Sequence, residues 1–294
     1  MSKTLVNRKH KDRLFSFIFG RSENRRWTLD LYNAINGSSY EKSDDIEITT
    51  LEDVIYMGMK NDVSFILYEN MNIYEHQSTI NPNMPLRELM YVGKLYDKFI
   101  FSRRLNIYGR SRIVIPVPKL VVFYNGRDYN ECKVLNLYDL FQDPSQADKS
   151  DISVRVKVIN INYGQNEFIL RACRPLSEYS WFIEEIRRNR TETNIETAIQ
   201  FAMEAMPKEF EIREFLIHHR AEVMDMCLTE YNEAETMELF REEFIEEGIK
   251  QGVIRTLFRL VSDGILSMSD AAKRADMSEE VFVEQVKSLK LLNE

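Results

Sequence analysis

Three cysteines, Cys132, Cys173 and Cys227, are too few and too scattered for a disulfide framework. No two of them form a CxxC pair, so a cysteine-based zinc site has no support. A reducing cytoplasm is the natural setting for such a chain. Neither a Walker loop nor a GxGxxG motif occurs among the 10 glycines, which removes the corresponding modes of nucleotide binding. Long apolar runs are missing too. The strongest, Ile113–Tyr124, is broken by Pro116, Pro118 and Lys119, far short of the ~20 residues of a membrane span. Met1–Arg13 is polar and basic with no apolar centre, so no secretory signal and no membrane association are expected. There is no repeat at a solenoid period and no low-complexity tract.

What the chain does have is an ordinary globular composition. Of 294 residues 44% are hydrophobic and 29% charged, enough for one large domain or two. The net charge of −8 is unevenly placed. Residues 1–120 carry 18 basic and 14 acidic side chains, residues 121–190 carry 10 of each, and residues 191–294 carry 11 against 23. The acidity therefore belongs to the C-terminal third. A net-acidic total would usually argue against nucleic acid; a mildly basic N-terminal region does not.

The periodicity orders the elements. Lys11–Gly20 has helical spacing, with Leu14, Phe15, Ile18 and Phe19 on one face and Gly20 as a stop. A second helix runs from Ser22 to Asn36-Gly37. Ile46–Leu51 reads as β by alternation. Asn61–Tyr68 and Met71–Ser78 read as a hairpin around Glu69-Asn70. Leu86–Ser102 is helical, Lys119–Tyr124 and Val154–Ile161 are strands, and residues 136–151 form a surface loop. From Ser177 the pattern is helical, interrupted at Pro207 and at Asn232-Glu233. Met237–Ser262 is a long helix capped by Gly264. Short helices follow, with N-caps at Ser267 or Ser269 and at Ser278. This order predicts an α/β domain followed by an all-α tail.

The hairpin carries the chemistry. Glu75 and Gln77 are two apart and share a face. With an even-numbered turn Asp62 joins them, alongside Ser64 and Ile66. Two carboxylates facing each other across a strand pair repel unless a cation lies between them. Mg²⁺ takes one or two carboxylates together with water and substrate phosphate. The alternative is that Asp62 caps a strand end and Glu75 is a solvated edge residue.

The string KNDVSFIL…NIYEHQSTINPNMPLRELMYVGKLY resembles the recombination-promoting nuclease family, also labelled putative transposases, within the PD-(D/E)XK nuclease superfamily. The opening KDRLFSFIFGRSEN and the later IPVPKLVVFYNG resemble the same family, so the likeness covers about residues 10–126. A weaker likeness continues to EEFIEEGIKQG. The resemblance implies a restriction-endonuclease-like α/β core, with a central mixed sheet flanked by helices. Residues 1–176 would form that nuclease-like domain, 177–236 a helical extension and 237–294 a helical assembly or regulatory region. Asp62 would take the place of the motif Asp and Glu75 that of the (D/E), both binding Mg²⁺, with Mn²⁺ or Ca²⁺ as substitutes. Gln77 stands where the superfamily has Lys, and Asp12 would supply a further acidic group. Asn61 precedes Asp62, so the literal Pro-Asp is absent. The implied activity is a cytoplasmic bacterial DNA endonuclease linked to recombination, mobile DNA or defence. Its attacking water is oriented by Gln77, which can hydrogen-bond it but brings no charge.

The competing reading is a catalytically degenerate DNA-binding or interaction module on the same fold. The basic set Arg8, Lys9, Lys11, Arg13, Arg21, Arg25 and Arg26 could track a DNA backbone. Arg87 could contact a phosphate or form a surface salt bridge. His76 lies between Glu75 and Gln77 and should face away from them, into the core. Gly248 and Gly252, four apart in the long helix, either let a second copy approach closely or mark a kink. Self-association through the C-terminal helices is therefore expected, and the acidic last helix is poorly suited to the DNA major groove.

Overall fold

A computed structural model of the chain describes residues 13–51, 61–127 and 133–289, with only the backbone described over 233–247. The elements in order are α1 (Leu14–Phe19), α2 (Arg25–Asn36), β1 (Glu47–Ile48), β2 (Val63–Leu67), β3 (Asn70–Gln77), α3 (Met84–Ser102), β4 (Val117–Tyr124), β5 (Lys133–Asn136) and β6 (Arg155–Asn160). Helices follow: α4 (Glu167–Ala172), α5 (Arg174–Asn189), α6 (Ile195–Ala205), α7 (Arg213–His218), α8 (Arg220–Ser262), α9 (Met268–Arg274) and α10 (Glu279–Ser288). Two compact units divide the chain, Met1–Glu230 and Tyr231–Glu294. No helix among the described residues is long and apolar enough to cross a membrane.

The first unit is built on a six-stranded mixed sheet in the order β1-β2-β3-β4-β6-β5. β2 and β3 pair antiparallel across a two-residue turn, Tyr68-Glu69, with Tyr68 in the left-handed region at φ 51°. β3 and β4 run parallel, as do β4 and β6. A parallel pair needs a crossover, and α3 is the one between β3 and β4. Helices cover both faces, so every residue of β2 and all of Met71–Gln77 are buried. On one face Ile66, Met71 and Ile73 meet Tyr91 and Leu95 of α3, while Val122 and Tyr124 meet Met84. On the other, Phe15 of α1 lies 4.9 Å from Phe123 and 5.9 Å from Tyr179 of α5, ring centre to ring centre. Each large apolar side chain buried in this way contributes roughly 1.5–3 kcal/mol. The charged residues interleaved with them therefore need reasons of their own.

Several boundaries differ from the expected ones. The strand at Ile46–Leu51 pairs only over Glu47–Ile48, because it is the sheet's edge. Beyond it Thr50 bonds Ser64 through its hydroxyl instead of continuing the ladder. β5 was not legible, since only one of its four residues, Leu135, is buried. Two 3₁₀ turns, Leu137–Leu140 and Pro144–Lys149, stand in the expected loop at 136–151. α2 ends as expected, with Gly37 at φ 63°.

In the second unit Ile254 on the last turns of α8 packs with Ala271, Ala272, Phe282 and Val286. Ser267 and Ser278 are the N-caps, accepting hydrogen bonds from the backbone N–H groups of Asp270 and Val281. The interruption expected at Asn232-Glu233 does not occur, since α8 is one helix through these residues. No turn separates two shorter helices at Gly248 and Gly252 either, and a Cβ at either position would meet nothing within 4 Å.

Candidate functional site

The register of β2 and β3 pairs Val63 with Tyr74, which sets Asp62 opposite Glu75. Each carboxylate is tied to the facing backbone. Glu75 Oε1 accepts the Asp62 N–H at 3.0 Å, and Asp62 Oδ2 accepts the His76 N–H at 2.7 Å. Glu75 is not a solvated edge residue. It stands on a strand with neighbours on both sides, and its side chain is 4% exposed.

Arg87, on the first turn of α3, closes the site from above. Its Nη2 lies 3.1 Å from Glu75 Oε2 and donates to the Tyr91 hydroxyl at 2.9 Å. Its own side chain is 39% exposed, so the pair is half inside the protein and is not the surface salt bridge weighed from the sequence. Gln77, next along the same face, donates from Nε2 to the Met84 sulfur at 2.9 Å. A thioether is a weak acceptor, so this amide has more to offer than its partner uses.

Burial dominates the electrostatics. It pushes the Glu75 carboxyl up to about 8, and the neighbouring charge of Asp62 pushes the same way. Arg87, the Asp62 N–H and Arg13 pull back without restoring the ordinary value. Glu88, one residue beyond Arg87, is fully buried and neither of its carboxylate oxygens has a hydrogen-bond partner. Burial holds its carboxyl well above the usual range, with Glu75 adding to the effect and Arg87 opposing it. Sequence reasoning passed over Glu88. The available signal was its place in the stripe Met84, Glu88, Tyr91, Leu95, where a carboxylate interrupts a buried helical face.

The other faces of these strands behave differently. His76 points away from Glu75 and Gln77, as expected. Its ring is buried, stacks on Phe15 at 5.3 Å and has Nε2 3.0 Å from the Tyr179 hydroxyl. Burial, with Arg13 and Arg187 nearby, holds it well below the ordinary histidine value, so it stays neutral. Arg13 donates to the His76 carbonyl at 2.6 Å and is the N-terminal arginine whose charge reaches Glu75. Arg21 pairs with Glu23 and lies over the Phe17 ring, and Arg26 pairs with Asp30. The Arg25 Nε is buried without a partner. Arg8, Lys9, Lys11 and Asp12 lie outside the described residues.

Two observations bear on a metal. The donors are all oxygen, and they include the orphaned carboxylate of Glu88 beside the opposed pair Asp62 and Glu75, whose charges raise the cost of ionising Glu75. That chemistry fits a hard divalent cation. Among the described residues, however, no three or more His, Cys, Asp or Glu side chains come together as a group able to hold a metal. A cation here would rest on Asp62 and Glu75 with water or phosphate completing its shell, and it would share Glu75 with Arg87. No protein-family model, curated protein or solved structure matches the chain.

Proposed function

We propose that the first unit is a PD-(D/E)XK-type nuclease domain and that the protein is a divalent-metal-dependent DNA endonuclease. The observation that carries this reading is the direct opposition of Asp62 and Glu75, with Gln77 two residues along the same face. Asp62 and Glu75 would hold Mg²⁺ or Mn²⁺. When bound, such an ion polarises a phosphodiester and offsets charge on the leaving oxygen. The chain's own residues do the rest. The backbone bonds at Asp62 and His76 hold both carboxylates in place before substrate arrives. Gln77 orients water or a phosphate oxygen through its amide. Arg87, partly exposed, can leave Glu75 for a phosphate once another cation balances that carboxylate.

The Arg87–Glu75 pair also favours a second reading, a degenerate module on the same fold in which the guanidinium has permanently replaced a metal. The two separate in one assay on supercoiled plasmid DNA. The nuclease reading expects nicking in Mg²⁺ or Mn²⁺ that drops on the order of a hundredfold or more in Asp62→Asn and Glu75→Gln. Nicking at equal rates in both variants would remove these residues from the site. Binding without cleavage in Mg²⁺, Mn²⁺ and Ca²⁺ would establish the degenerate module.

A further inference from the structure

The connection from α3 to β4 has a composition found nowhere else in the chain. From Lys98 near the end of α3 through Lys119 near the start of β4, both included, there are six basic residues and no acidic one, in a protein of net charge −8. The segment is ordered by its own hydrogen bonds. Arg104 turns the chain at φ 52°, the Asn106 side chain accepts the Tyr108 N–H at 3.0 Å, and the Tyr96 hydroxyl anchors Pro116 at 2.7 Å. These bonds present large apolar side chains to water. Tyr108 is 92% exposed, Phe101 85% and Val114 81%.

The basic surface continues onto the sheet. Val121 of β4 pairs with Lys157 of β6, and extending that register brings Lys119 alongside Arg155. All three basic residues are exposed and occupy the face turned away from α3, where the strands run out beyond the covering helices. Like charges side by side on paired strands destabilise each other unless an anion lies over them. Among the described residues the only ion pair formed by this surface joins Arg103 to Glu47. Arg104, Arg110 and Arg112 have no carboxylate partner there.

Unpaired guanidinium and ammonium groups interleaved with exposed aromatic rings match one kind of polymer. Phosphates take the charges, and unstacked bases take the rings. We propose that this surface binds single-stranded nucleic acid and that it is separate from the Asp62–Glu75 site. β4 enters the sheet beside Asn70, about 17 Å of strand away from Glu75, and the basic residues of the sheet lie on its other face.

The experiment is fluorescence anisotropy on the full chain with a labelled oligothymidylate of about 16 nucleotides, beside a duplex of equal length and phosphatidylserine vesicles. Arg110→Glu/Arg112→Glu should weaken oligonucleotide binding roughly tenfold or more, and flatten the slope of log affinity against log salt by about 1.4. Tyr108→Ala should weaken the single strand by roughly fivefold and the duplex less. The titrations are run in EDTA, where a divalent-metal-dependent cleavage site is silent, so a failed nuclease assay leaves this result standing. Unchanged binding in the double arginine variant overturns the proposal. So does a duplex bound as tightly as the single strand and indifferent to Tyr108→Ala, or binding to vesicles alone.

Discussion

Consecutive residues of β3 live in two unlike environments. On the side of Phe15, His76 sits in an aromatic cluster, its Nε2 bonded to Tyr179 and its ring neutral. On the side of α3, Glu75 and Gln77 adjoin Asp62, Arg87 and an orphaned Glu88, two of them carboxyls held above their usual range by burial. Glu75 and His76 are both buried. One side fills its space with packed rings, Phe15, Phe123, Tyr179 and His76. The other buries carboxyls whose ionisation the fold disfavours. A fold optimised for stability alone would not keep such groups, so the α3 side has the character of a site and the aromatic side that of its foundation.

The comparison breaks first at Phe15. If the aromatic side is the foundation, Phe15→Ala should cost about 3–5 kcal/mol in denaturant unfolding. A loss within experimental error would mean that the cluster supports nothing.

The carboxyl side should show itself in the pH dependence of stability. The folded chain holds a proton on Glu75 up to about pH 8, whereas the unfolded chain releases it near its ordinary value of about 4.5. This contribution is fully present below pH 4.5 and is lost as the pH rises through 8. The loss is on the order of 5 kcal/mol at most. Glu75→Gln should flatten the profile in that window when Cm is followed against pH, leaving the contributions of Glu88 and His76. An unchanged slope would place the charge elsewhere.

The smallest effect separates burial from need. Replacing an unpartnered buried carboxyl by an apolar side chain of similar size should stabilise by about 1–3 kcal/mol. Glu88→Met should therefore raise the thermal midpoint at pH 8. A lower midpoint would show that Glu88 has a structural partner role.

Much of this was legible in advance, for a reason of parity. Residues two apart on a strand share a face whatever surrounds them, so Glu75 with Gln77, and His76 against them, could be read directly. Helix ends at Gly37, Ser267 and Ser278 were legible because capping is a local exchange of hydrogen bonds. β5 and the continuity of α8 were not. A four-residue edge strand with one buried residue carries little periodicity, and Asn232 is a poor but tolerated helix former. Arg87 was read as a helix-start residue without its partner Glu75, and Glu88 was passed over, because what surrounds them lies on another element.

Local chain chemistry thus settles which side chains of β2 and β3 look the same way, and where most helices begin and end. Packing decides the rest. It chooses the register that sets Asp62 opposite Glu75, lowers α3 so that Arg87 and Glu88 arrive there, and leaves Lys119, Arg155 and Lys157 uncovered. The physical reason is range. Backbone geometry and capping act within a few residues, whereas burial and the charge interactions it strengthens depend on segments that meet only when the whole sheet is covered.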